Sequence, residues 1–270
     1  MKKKKNIKSN DKILSFLIII LSILTITLII VLINRSNTLD INSKLVIDLH
    51  NYFSTEDLNN CNGLFTYAED KVEYKDIDVE NSICLAYQKT DKKKIEKEEL
   101  KADKKKDKCT KDNMSFKIDN EGNKCTVNKI KKSLINDTYK KIYGKDIKDI
   151  ESFRIDNQNV CYLNGDYYYC GLSETFIYTI GNESTIYRVI NKAEEKSSNI
   201  IIYDFFIKIN GNSCFKNYTT ATINNDCTDN YSDKFKVDFK FMKKYATRYK
   251  HIYKKSNNDS YFWVSSEPIN

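Results

Sequence analysis

The chain has two histidines, His50 and His251, and they are the natural starting point for acid–base or metal chemistry. Neither belongs to a His-Glu-x-x-His motif, and Gly-x-Ser-x-Gly, the P-loop and Gly-x-Gly-x-x-Gly are absent too. His50 lies beside the apolar face of a helical segment and His251 in a terminal hairpin, so both read as packing or surface residues. Residues 224–233 gather Asp226, Asp229 and Asp233, oxygen ligands of the kind calcium takes, but without EF-hand spacing. A polar loop closed by a disulfide explains them equally well. Glu267, beside the lone Trp263 and the lone Pro268, has the make-up of a pocket carboxylate, though a solvated strand end is the simpler reading. Tyr167, Tyr168 and Tyr169 could form a stacking platform for sugars. Strand alternation, however, sends Tyr168 to one sheet face and its neighbours to the other. No catalytic residue, cofactor site or metal ligand is assigned.

The cysteines carry a firmer message. Cys61, Cys84, Cys109, Cys125, Cys161, Cys170, Cys214 and Cys227 all lie beyond the apolar segment 13–33, an even number that suits an oxidising compartment. No Cys-x-x-Cys pair occurs, which argues against thioredoxin-like redox chemistry and zinc ribbons. A two-residue Gly165–Asp166 turn would set Cys161 opposite Cys170, whereas an Asn164–Gly165 turn would shift the register and separate them. Nearest-neighbour pairing (61–84, 109–125, 161–170, 214–227) is the simplest scheme, and buried free thiols are the alternative.

The net charge of +8 is concentrated at the start. Residues 1–12 hold six lysines and one acid, leaving 39 basic and 36 acidic residues for the rest. A domain so nearly balanced offers no strong footprint for a phosphate backbone, so nucleic acid is not expected as a partner. Residues 13–33 then run without a charge, Pro or Gly. As a helix they would span about 30 Å, the thickness of a bilayer's hydrocarbon. Lysines before the segment and only Arg35 just after it orient the N-terminus to the cytoplasm. Cleavage near Ser36 is the competing expectation, but the region lacks a small-residue cleavage site, and the first cysteine comes too late for a lipoprotein.

The elements that must position any site follow from periodicity. Residues 34–42 read as a stalk, and 43–53 and 79–87 as amphipathic helices, the second capped by Asp78. Residues 91–108, nine basic and six acidic, read as a solvated helix or flexible insertion. Residues 127–143 read as one helix ended by Gly144. Strand patterns follow at 153–155, 160–163, 167–172, 176–180, 185–190, 200–209 and 234–242, then a hairpin of 247–254 and 261–265. Helices first and strands later predict an α+β fold: an N-terminal transmembrane helix, then N-terminal helices packed on a C-terminal antiparallel sheet, with the domain spanning 43–270.

This order, closing on Tyr249-Lys-His-Ile-Tyr-Lys254 and Tyr261-Phe-Trp-Val-Ser-Ser-Glu-Pro268, resembles the end of an NTF2-like or cystatin-like domain. The whole chain is also similar to uncharacterised signal-anchored exported proteins of low-GC Gram-positive bacteria. NTF2-like domains host enzymes and scaffolds alike, including one-helix-anchored subunits of envelope secretion machines, so the resemblance implies a fold and a place rather than a reaction. The function expected is that of a non-catalytic binding or assembly protein in the cell membrane. Its N-terminus would be cytoplasmic and its domain extracellular, with the bilayer and envelope proteins as partners. An envelope hydrolase, or a sensor of small ligands or wall fragments, is the alternative.

Overall fold

The computed structural model describes residues 7–34, 36–53, 61, 64–103, 105, 107–118, 124–148, 150–175, 184–218, 223–232 and 236–269; within 7–34, side chains are described over 14–27. The chain opens with helix α1 (Ile7–Asn34), strand β1 (Ser36–Leu39) and helix α2 (Lys44–His50). Next come β2 (Val72–Glu73), α3 (Val79–Lys89), β3 (Glu96–Asp103), β4 (Lys108–Lys111), β5 (Met114–Lys117), β6 (Lys124–Lys131) and α4 (Lys132–Tyr143). Strands β7 (Ser152–Arg154), β8 (Asn159–Asn164), β9 (Tyr167–Leu172), β10 (Ser184–Lys196), β11 (Asn199–Asn210) and β12 (Ser213–Phe215) follow. The chain closes with α5 (Asn225–Thr228), α6 (Phe239–Tyr245), β13 (Thr247–Lys255) and β14 (Tyr261–Ile269).

The fold is α+β with antiparallel sheets, but helices and strands interleave, and the described residues form two sheets rather than one C-terminal sheet. The first runs β1-β10-β11-β13-β14-β2, with β12 beside β11; the second runs β5-β4-β3-β6-β9-β8-β7. One core joins α2, α3, α4 and a face of each sheet, with Leu49, Leu85, Tyr139, Phe153, Tyr168, Phe206 and Trp263 among its buried residues. The opposite face of the second sheet buries Leu100, Val127 and Tyr169 under Phe116 of β5. The opposite face of the first sheet buries Phe205 and Ile207 under Phe241 and Met242 of α6. Gly171 permits the close packing on the second sheet, since a Cβ there would meet Val127 at 2.9 Å and Phe116 at 3.0 Å.

Local chemistry explains several elements directly. Ser43 caps α2 by accepting from the Val46 amide, and Asp78 caps α3 by accepting from Asn81. Gly144 ends α4 at φ +67°, where a Cβ would also strike the Phe262 ring. Asn164 pairs with Tyr167 around Gly165–Asp166, so Cys161 does face Cys170. The disulfides join Cys61–Cys84, Cys109–Cys125, Cys161–Cys170 and Cys214–Cys227, the nearest-neighbour scheme.

Four expectations are corrected. Residues 34–42 are not a stalk, because Ser36–Leu39 pairs with β10 as an edge strand. The charged segment 91–108 contributes β3, a strand inside the second sheet. Among its described residues only Leu100 is buried, and Glu98, Glu99 and Glu96 pair with lysines of neighbouring strands: Glu98 with Lys111, Glu99 with Lys124 at 2.7 Å and Glu96 with Lys129 at 3.7 Å. Residues 127–143 divide into β6 and α4. Val127 and Ile130 suggested a helical face, yet they lie on opposite faces of a strand buried on both sides. Residues 234–242 end in a helix: Asp238 accepts from the Phe241 amide, and the adjacent Phe241 and Met242 are both buried, which a half-exposed strand cannot achieve. The strand expected at 176–180 lies outside the described residues.

Residues 13–33 fall within α1. Among the described residues, no helix is long and apolar enough to cross a membrane; side chains of α1 are described over 14–27 alone.

Candidate functional site: a buried network around Asp204

Asp204 stands in the middle of β11, between Ile202 and Phe206 on the core-facing side, and is fully buried. Sheet register brings two partners beside it. His251 sits on β13 opposite Ile202, and Arg188 on β10 opposite Phe206. Two more arrive from outside the sheet: His50, the last residue of α2, and Tyr67, at the end of the short 3₁₀ turn Leu64–Tyr67.

The hydrogen bonds form one connected set. Asp204 Oδ2 accepts from His50 Nε2 at 2.8 Å and from the Tyr67 hydroxyl at 2.5 Å, while Oδ1 accepts from His251 Nε2 at 3.0 Å. Arg188 donates through Nε to the Tyr67 hydroxyl at 2.6 Å, and through its other nitrogens to the carbonyls of Phe53 and His50. Its guanidinium lies 3.8 Å from Asp204, an ion pair shut away from water. On the far side of His251, Nδ1 meets Ser266 Oγ at 2.6 Å, and Trp263 Nε1 donates to the same oxygen at 2.9 Å. Indole N–H can only donate, so we assign the Ser266 hydroxyl proton to His251 Nδ1 and the ring proton to Nε2, facing Asp204.

Electrostatics agree with this assignment. Burial alone would push the Asp204 carboxyl up, but its interactions with His251 and His50 outweigh that and hold it well below the usual carboxylate range. Burial, reinforced by Arg188, lowers His50 to about 4 against the pull of Asp204, so at neutral pH it is an uncharged donor. Burial likewise keeps Tyr67 a phenol, with Asp204 adding to the rise. Burial would lower Arg188, but Tyr67 and Asp204 more than offset it.

Ser266, His251 and Asp204 thus lie in the contact order of a nucleophile, a base and an acid. Access decides against that chemistry. Ser266 and Trp263 are each 1% exposed, and the indole occupies the space a substrate carbonyl would need. Concavities open elsewhere among the described residues: one of about 390 Å³ beside Tyr87 and Asn128, one of about 620 Å³ beside Ser133 and Asn136, and one of about 500 Å³ beside Lys141 and Asn258. What the network does do is join α2, the Tyr67 turn, β10, β11, β13 and β14 through one carboxylate.

The other residues singled out by type are scattered. Glu267 pairs with Lys250 at 2.6 Å, and Trp263 is core. Tyr168 is buried in the main core, whereas Tyr169 and Tyr167 turn to the other face under Lys111 and Lys129. Asn224 caps α5, Asp226 lies in its first turn and Asp229 is its C-cap, and Asp233 lies outside the described residues. Among the described residues, no group of three or more His, Cys, Asp or Glu could hold a metal ion. Both histidines are buried partners of Asp204 rather than surface residues. Asp204 and Arg188 were missed. Their signal was a lone acid inside the apolar run 200–207, which a central strand can bury only if it is paired.

No protein-family model, curated protein or solved structure matches the chain.

Proposed function

We propose that this chain is a single-pass envelope protein, with residues 1–12 in the cytoplasm, 13–33 across the bilayer and the disulfide-bonded domain outside. Its role in this reading is binding or assembly rather than catalysis. The observation that carries the reading is the division of the chain. All eight cysteines lie beyond the apolar segment within α1, and all eight are paired, as expected of a domain matured in an oxidising space. The sealed state of Ser266, His251 and Asp204 supports the non-catalytic part. Because β1 starts at Ser36, two residues beyond the end of α1, the domain would be held at the membrane surface rather than on a long leash. That placement suits a subunit docking on other envelope proteins.

The test is crosslinking in intact cells, purification through the cytoplasmic tail and mass spectrometry. The expected result is a reproducible set of membrane or envelope proteins. Repeated recovery of this chain alone would overturn the assembly role.

A further inference from the structure

We infer that the end of the first sheet nearest α1 rests on the phospholipid headgroups of the bilayer and binds their phosphates through exposed lysines. The inference builds on the proposed membrane anchor, and sheet register carries it. α1 ends at Asn34 and β1 begins at Ser36, two residues that can span at most about 7 Å. Ser36 pairs with Lys196, where β10 turns through Ser197 and Ser198 into β11. Asn199 pairs in turn with Lys254, and Lys255 pairs with Tyr261 across the next turn. Neighbouring strands lie about 4.8 Å apart, so the two turns form one edge that starts beside the end of α1. The last turn of α4 extends it, because the concavity of about 500 Å³ lies between Lys140, Lys141 and Lys145 on one side and Ser256, Asn257 and Asn258 on the other.

The charge of this edge is basic and partly uncommitted. Asp259 holds Lys255 at 2.8 Å and Asp146 holds Lys140 at 2.7 Å; Glu195, Asp137, Asp48 near Tyr52 and Glu194, which accepts from Ser36 and Lys192, are further acids there. Lys141, Lys145, Lys196 and Lys254 are exposed, and among the described residues none has a carboxylate within ion-pair distance. A lysine ammonium is a compact charge with rotatable donors, suited to mobile phosphate esters. Tyr52, half-buried beneath Lys141 and bonded to the Tyr261 carbonyl at 3.2 Å, adds the aromatic character found at membrane interfaces. Lys243 and Lys244 of α6 mark the opposite end. They precede Thr247, which lies seven residues of strand, about 23 Å, from Lys254.

The full-length protein, reconstituted into vesicles of phosphatidylcholine or of an equimolar mixture with phosphatidylglycerol, tests this by hydrogen exchange at 196–199 and 254–260. Carbonate extraction of the same vesicles tests the anchor separately. The protein should resist extraction, and both turns should exchange about fivefold more slowly on the anionic vesicles, as expected for lysines at such a surface. High salt should abolish the difference. So should K141Q/K145Q/K196Q/K254Q, while K243Q/K244Q should keep it. Exchange that ignores phosphatidylglycerol in an extraction-resistant protein overturns this surface alone, as does equal loss in K243Q/K244Q. Release by carbonate overturns the anchor and this surface with it.

Discussion

Asp204 and His50 are 154 residues apart in sequence and 2.8 Å apart in space. Their bond ties α2, the first helix of the domain, to the central strand of the first sheet. Arg188 reinforces the tie by holding the carbonyls of His50 and Phe53.

Removing the carboxylate while leaving its partners strands a buried guanidinium. Asp204→Asn should therefore cost about 3–5 kcal/mol in urea unfolding of the oxidised full-length chain in detergent. Asp204→Leu combined with Arg188→Met should cost less than Asp204→Leu alone, because the pair leaves no uncompensated charge. A double variant as unstable as the sum of the singles would show that the two residues contribute independently and would contradict the coupling across this ion pair.

Stability should fall on acidification, for a reason specific to His50. Its folded value, about 4, lies below the 6.5 of an exposed histidine, so the unfolded chain binds the proton more tightly between those limits. Stability is then fully present above about pH 6.5 and is lost as pH falls towards 4, by about 3 kcal/mol. Asp204, lowered by its partners, adds a loss at still lower pH, as it becomes protonated in the unfolded chain first. His50→Gln can keep an N–H donor on Asp204 without titrating, so urea midpoints measured across pH 4–6.5 should flatten in that variant. An unchanged slope would assign the acid loss to other groups.

How far the sequence foretold this arrangement depended on whether local chemistry or long-range pairing decided each element. The β8–β9 and β13–β14 hairpins were readable from alternation, and in the first the Gly165–Asp166 turn fixes the register. Gly144 was readable as the end of α4 because only a residue tolerant of positive φ closes the helix there. β3 was not, since its one buried side chain, Leu100, leaves no apolar alternation to read and its pairing with β4 and β6 is decided by tertiary structure. β6 was misread because its buried positions change face along the strand, Cys125 and Val127 on one side and Ile130 on the other, which breaks the two-residue period. The histidines could be located along the chain, but their meeting at Asp204 is a product of tertiary pairing.

Tyr143 offers a test of core polarity in the opposite direction. Its ring is buried against Trp263 and Tyr139, yet among the described residues its hydroxyl has no hydrogen-bond partner. Tyr143→Phe removes an unsatisfied polar group at almost no change in shape, and should stabilise the protein by about 1 kcal/mol in the same unfolding assay. A loss of stability would mean that the hydroxyl is satisfied in solution.

The Cys109–Cys125 disulfide ties β4 to β6 across a separation of 16 residues. Replacing both cysteines with alanine should cost about 3 kcal/mol, chiefly by freeing the unfolded chain. The other disulfides should remain intact on non-reducing peptide maps, since each closes its own neighbouring segment.

The most direct test of the proposed topology is lysine labelling of intact cells with a membrane-impermeant reagent, read residue by residue by mass spectrometry. Lys243 and Lys244 should be modified in intact cells, and Lys2 to Lys5 only after lysis. Modification of the tail in intact cells, or protection of Lys243 and Lys244 until lysis, would contradict the placement of the domain outside the membrane.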